Sequence, residues 1–264
     1  MLHRFRPSQP SRSHTLARVS SAPPKPPGTD FYGAATVGAT SIGQLAVARA
    51  VLNRVLSVLA SLDQDDYVDH VRTFVESGRS AAGDDWRYAD ITTVLAAATR
   101  LLRPRSYLEI GVRRGRSLAI VGGEAPECDV IAVDLWNEGY AGMPNPGPEH
   151  VRDQLTRVGH HGTIRFVSGD SHVELPRLFA AEPGLSFDLI TVDGDHSVRG
   201  ARQDLKDVLP RLRIGGAIVF DDISHRAHPG LARVWHRTVE QERRYATWTF
   251  DDIGYGVAVA VRRW

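Results

Sequence analysis

The run Tyr107-Leu-Glu-Ile-Gly-Val-Arg-Arg-Gly-Arg-Ser117 constrains the fold more than any other stretch of this chain. A short apolar segment ends in an acid, meets a glycine-bearing turn and passes into a helix start. That order builds a small-molecule site at the carboxyl end of a parallel strand. A dinucleotide fingerprint needs G-x-G-x-x-G, so that backbone can close on a pyrophosphate. Here Gly111 supplies the first glycine, but Arg113 and Arg116 stand in the second and third places. What remains is E-x-G-x-x-x-G, written by Glu109, Gly111 and Gly115. A carboxylate just before the turn repels a pyrophosphate and tolerates a ligand that carries positive charge.

Around this motif the strand and helix signals alternate, which implies parallel strands with helical crossovers. Strands are expected over 106–110, 130–134, 164–168, 187–193 and 217–221, as near-continuous apolar runs covered on both faces. Helices are expected near 116–124, 148–158, 171–181, 198–211 and 229–242. The end differs. Residues 245–250, a turn through 251–254 and 255–261, with Val257, Val259 and Val261 alternating, read as an antiparallel hairpin. Upstream, Ile42, Leu45, Val47, Val51, Leu52, Val55, Leu56 and Leu59 recur at helical spacing and predict one helix over 40–62. A more acidic helix is expected over 64–76, then a linker over 78–85. A helix over 87–102 follows, with Ile91, Val94, Leu95, Ala98 and Leu101 inward, stopped before Pro104. The expected organisation is a tail over 1–29, a helical appendage over 30–84 and an α/β domain over 85–264. The appendage could lid the site, form a homo-oligomer contact or simply pack on the core.

At 264 residues and 42% hydrophobic content the chain can bury such a core. A net charge of +1 gives no argument for a nucleic-acid or membrane partner. No apolar run approaches bilayer-spanning length. The single cysteine, Cys128, excludes an internal disulfide and fits a reducing, cytoplasmic compartment. Residues 1–29 hold five basic side chains, no acids and six prolines, a composition that cannot repay its ordering entropy. Their acid-free, arginine- and serine-rich character resembles a transit peptide, but the proline clusters argue against a targeting helix.

Five expected strands end in, or run into, an acid: Glu109, Asp134, Asp170, Asp193 and Asp221. These are the strand ends where an open α/β sheet presents its ligands. Asp134, about twenty residues past the glycine turn, suits both hydroxyls of an adenosine ribose. Trp136 could lie against adenine or serve packing. Ser117 stands where a helix N-terminus can hold a ligand carboxylate, or it caps its own helix. Asp193, in Asp193-Gly-Asp-His196, and the pair Asp221-Asp222 close adjacent strands, so three carboxylates would share one pocket. Like charges that close are costly without a cation, and an all-oxygen set suits Mg²⁺ or another hard divalent ion.

The glycine turn resembles the first motif of class I S-adenosylmethionine-dependent methyltransferases, and the terminal hairpin resembles their seven-stranded, mostly parallel sheet. The D-G-D-H stretch and the D-D pair after a G-G-x-x-x-x strand resemble the metal-dependent O-methyltransferase branch of macrolide-sugar and cephalosporin tailoring, over roughly 85–262. The resemblance implies S-adenosylmethionine at Glu109, Gly111, Gly115 and Ser117, with its ribose on Asp134. Asp170 and Ser171 would lie near the adenine amino group, though both also suit a helix N-terminus. The metal would sit on Asp193, Asp221 and Asp222, with His196 as general base toward a sugar diol or catechol hydroxyl. His225 is the reserve base; His160, His161 and His172 read as surface residues. Acceptor contacts are expected from the appendage and from loops 139–148 and 225–230. A metal-independent N- or O-methyltransferase, an NAD-dependent oxidoreductase and a non-catalytic nucleoside-binding subunit stay open as alternatives.

Overall fold

The computed structural model describes residues 34–139 and 142–264. The tail over 1–29 and the two loop residues Tyr140 and Ala141 lie outside the described residues. Within them, seven strands form one sheet: β1 (Ser106–Ile110), β2 (Asp129–Asp134), β3 (Ile164–Ser168), β4 (Phe187–Val192), β5 (Leu212–Asp221), β6 (Tyr245–Phe250) and β7 (Val257–Arg262). Their order is β3-β2-β1-β4-β5-β7-β6. The first five run parallel, and β7 lies antiparallel between β5 and β6. This is the expected seven-stranded, mostly parallel sheet closed by a terminal hairpin.

The helices fall on both faces. One face is covered by α1 (Ala39–Ala46), α2 (Arg49–Ser61), α3 (Asp66–Ala82), α4 (Ile91–Leu102), α5 (Arg116–Glu124) and α6 (Pro148–Arg157). The other is covered by α7 (Ser171–Ala181), α8 (Val198–Val208) and α9 (Leu231–Trp235), which continues as a wider turn over His236–Glu240. Strand alternation sorts the side chains: Tyr107 faces the first layer, Leu108 and Ile110 the second. Sequence periodicity sufficed here because buried parallel strands and half-buried helices leave distinct patterns.

The departures sit in the helical layer. The single helix expected over 40–62 is two helices bent by 69°, α1 and α2. A Cβ at Gly43 would stand 2.2 Å from the Trp248 ring. Gly43 thus lets α1 press onto β6, and the chain then turns to lay α2 elsewhere. The helix expected over 64–76 continues to Ala82, so Gly78 lies inside α3 and the expected linker over 78–85 is mostly helix. A Cβ on Gly78 would come within 2.1 Å of Trp86, so this glycine serves close packing and does not break the helix. Leu101, expected inward, is 37% exposed. Among the described residues no single helix is long and apolar enough to cross a membrane.

Candidate active site

The parallel register aligns the strand ends that matter. Ile110 pairs with Val133 of β2 and Val192 of β4, and Val192 with Phe220 of β5. The backbone extends that ladder by one step, through Gly111 N–H to Val133 O (3.0 Å) and Asp193 N–H to Ile110 O (2.9 Å). Gly111, Asp134, Asp193 and Asp221 therefore come off neighbouring strand ends on one edge of the sheet.

The two surviving glycines of the turn are required by space. Gly111 has φ +86°, and a Cβ there would lie 1.9 Å from the carbonyl oxygen of Asp193. Gly115 has φ +74° and caps α5, and a Cβ would meet Val151 at 2.8 Å. Arg113, in the place of the second fingerprint glycine, keeps a left-handed backbone (φ +52°) although it carries a side chain. Asp134 helps hold it there: one oxygen accepts from the N–H groups of Val112 and Arg113, both at 2.7 Å. The other oxygen accepts from Trp136 N–H at 2.5 Å. The expected ribose acceptor is thus also the staple of the turn. Trp136 donates its indole N–H to Ser168 (3.0 Å) and meets Phe166 edge-on at 6.0 Å.

Three cofactor-side expectations need correction. Glu109 does not open onto the turn. It is 0% exposed on the apolar face of β1, accepting from Tyr107 at 2.5 Å and Ser117 at 2.7 Å. Burial, with the charges of Asp193 and Asp134, outweighs those hydrogen bonds and pushes its pKa up to about 8. Ser117, expected to hold a ligand carboxylate, instead spends its hydroxyl on Glu109, because an enclosed carboxyl must find donors. Ser171, expected near adenine, turns its hydroxyl to Asp204 of α8 at 2.7 Å. Asp170 caps α7, accepting from His172 N–H at 2.9 Å, as its alternative reading held. One surface assignment also falls, that of His160, while His172 is partly exposed. His160 is buried with Nε2 2.8 Å from Cys128 O, and His172 places Nε2 3.3 Å from the fully buried Asp204. His161 is exposed, as expected.

At the ends of β4 and β5 the geometry gathers around His196. Its Nε2 lies 3.1 Å from Asp193 Oδ1 and 3.6 Å from Asp222 Oδ2. Burial disfavours its charged form, but the Asp193 hydrogen bond and the charges of Asp193, Asp222 and Asp195 carry its pKa above the usual value. Asp221 is held well above the carboxylate range by burial first, then by the charges of Asp193 and Asp222. Asp222 is pushed up to about 6 by burial and the charge of Asp193. The charge of Asp193 thus raises both Asp221 and Asp222, a crowding that a bound cation would relieve. Asp222 also keeps a left-handed backbone (φ +61°), the kind of strain that concentrates at functional sites.

Sequence reasoning passed over His228. Its donor atom joins those of His196 and Asp222 in a group all within 4.8 Å of one another, which could hold a metal ion. Its ring packs on His196 at 4.6 Å and on His225 at 4.7 Å, and His225 packs on Tyr255 at 4.1 Å. The reserve base, His225, is one step further out; its Nδ1 accepts from Ala227 N–H at 3.0 Å. The D-D-I-S-H-R-A-H spacing that brings His228 back over the strand end offered the only signal in the sequence.

Residues 108–223 match a family described as a methyltransferase domain. Among solved structures the chain is similar to the O-methyltransferase TomG from Streptomyces achromogenes, solved with SAM. The two share 19% identity over 77% of this chain and 92% of that one, with a TM-score of 0.53. It is also similar to an O-methyltransferase from Bacillus cereus in complex with SAH, at 16% identity over 85% and 96% of the chains and a TM-score of 0.52. A third is CalS11, a TDP-rhamnose 3'-O-methyltransferase of calicheamicin biosynthesis, at 18% identity over 81% and 93% and a TM-score of 0.52. No curated protein matches the chain. The fold is that of the class I S-adenosylmethionine-dependent methyltransferases. The likeness to a methyltransferase domain is carried by residues 108–223, the part of the chain that holds the glycine turn, Asp193, His196 and the Asp221-Asp222 pair.

Proposed function

We propose that the protein moves the methyl group of S-adenosylmethionine to a hydroxyl oxygen of a small-molecule acceptor, with His196 as general base. The observation that carries this reading is the Asp193–His196 contact of 3.1 Å beside Asp222, one backbone step from the glycine turn. Asp193 and Asp222 raise the proton affinity of His196, so it can take the acceptor's proton near neutral pH. The O–H bond breaks and an N–H bond forms. The oxygen's electron pair then forms the new bond to the methyl carbon, and the pair of the broken carbon–sulfur bond stays on sulfur. The resulting imidazolium is held by the two carboxylates beside it. Asp193, Asp221 and Asp222 would hold Mg²⁺ or another hard divalent ion, whose chemistry is Lewis-acid polarisation of an acceptor oxygen. Two neighbouring acceptor oxygens suit that arrangement, as in a sugar diol or a catechol. CalS11, which shares the fold, is described as a sugar O-methyltransferase.

The test is methyl transfer from labelled S-adenosylmethionine to a panel of vicinal diols, phenols and amines, with and without chelator. Wild-type protein should methylate an oxygen acceptor and lose activity on chelation. His196→Ala should lower kcat by about 10²–10⁴ while still binding S-adenosylhomocysteine. Transfer only to nitrogen, or His196→Ala turning over at the wild-type rate, would overturn the reading.

A further inference from the structure

Two arginines of the glycine turn bind it to the helical appendage. Arg114 and Arg116 flank Gly115 and converge on Asp65, which immediately precedes α3 in the helical appendage. One oxygen of Asp65 caps α3, accepting from the N–H groups of Tyr67 (3.1 Å) and Val68 (3.0 Å). The other meets Arg114 Nε at 2.9 Å and hydrogen-bonds Arg116 Nη2. All three side chains are only 12–14% exposed, so the cluster is enclosed and poorly screened by salt. Arg116 also lies over the Tyr67 ring, its Cζ 4.5 Å from the centroid. Arg114 reaches on to Pro144 O at 3.3 Å, tying in the loop before α6.

Electrostatics make Asp65 necessary to this arrangement. Arg116 is the first residue of α5 and Arg114 stands just before it, so two cations crowd the positive end of a helix dipole. With no anion between them they would repel one another and that helix end. Asp65 neutralises both, and its pKa is lowered accordingly: burial raises it, but the Val68 N–H and the two arginines prevail.

We propose that Asp65 is a positioning residue of the donor site, fixing the glycine turn through Arg114 and Arg116 so that donor affinity depends on the appendage. The inference rests on the donor reading above and extends it to a residue outside the matched span 108–223.

Asp65→Asn isolates the effect. Asparagine caps a helix as well as aspartate does, so α3 keeps its cap while the ion pairs are lost. Binding of S-adenosylhomocysteine to the full chain is measured by calorimetry, together with Tm. Asp65→Asn should weaken binding by the folded protein about tenfold, measured well below a Tm that itself falls with the loss of the ion pairs, and Arg116→Gln should do much the same. The double variant should bind little worse than either, since both changes break one linkage. Arg116→Lys should recover part of the loss. Should Asp65→Asn fail to fold, the Arg116 pair still decides the matter. A role confined to folding would lower Tm and leave the affinity of the folded protein unchanged; that result, or multiplicative losses in the double variant, overturns the proposal. Wild-type protein that binds no S-adenosylhomocysteine would overturn the donor reading beneath it. Wild-type binding with Asp65→Asn within twofold would overturn the positioning role alone.

Discussion

Replacing Glu109 with glutamine should make the ligand-free protein more stable at pH 7 to 8 and leave it little changed at pH 5. Glu109 is fully buried beside β4, and its pKa rises from 4.5 to about 8. The causes are burial first, then the charges of Asp193 and Asp134, against the opposing hydrogen bonds from Ser117 and Tyr107. The folded protein therefore binds the carboxyl proton more tightly than the unfolded chain does. The stability that this proton confers is complete below about pH 4.5 and is lost progressively as pH rises toward about 8. Each unit is worth about 1.4 kcal/mol, so the passage from pH 5 to pH 7 should cost the wild type about 2 to 3 kcal/mol. Glutamine reproduces the protonated form. Its amide can donate to Tyr107, whose hydroxyl turns to Thr191 at 2.7 Å, while its oxygen accepts from Ser117. Urea unfolding of both proteins at pH 5, 6, 7 and 8, followed by circular dichroism, reads the difference directly. In a chain of this size the gain at pH 7 should raise Tm by roughly 5–10 °C. Groups common to both proteins cancel in the comparison. Stability curves that stay parallel to within about 0.5 kcal/mol across this range would show that Glu109 ionises normally, and would refute the argument from burial.

Gly78→Ala inverts the usual helix rule. In an open helix it would add about 1 kcal/mol of stability, but here the new methyl meets the Trp86 ring at 2.1 Å, so a net loss of about 1–3 kcal/mol is expected in chemical denaturation. A stabilised variant would mean that Trp86 yields freely, despite its stacking on Tyr88 at 5.5 Å. Cys128 should react very slowly with a thiol reagent at pH 8, because burial and the charges of Asp188 and Asp129 push its pKa up to about 12. Modification of folded protein at the rate of a free thiol would contradict that.

By itself the sequence determined the sheet. Each strand ends within a residue or two of its expected end, because a parallel strand buried on both faces must be written as an apolar run and stopped by a turn. It also determined which acids stand at the strand ends, and that Asp193 and His196 share one loop. Short-range spacing encodes those relations. It could not determine which way each polar side chain turns, since a hydroxyl or carboxylate answers to neighbours from distant parts of the chain. Ser117 turns to Glu109, Ser171 to Asp204 and Asp134 to the backbone of the glycine turn only once α5, α8 and β2 are packed in place. The helix break at Val47, the continuation of α3 past Gly78, the return of His228 over His196 and the clasp of Asp65 on two arginines 49 and 51 residues away are likewise decisions of tertiary packing. Local pattern fixes what an element is. Burial and charge, summed over residues far apart in the chain, fix what its side chains do.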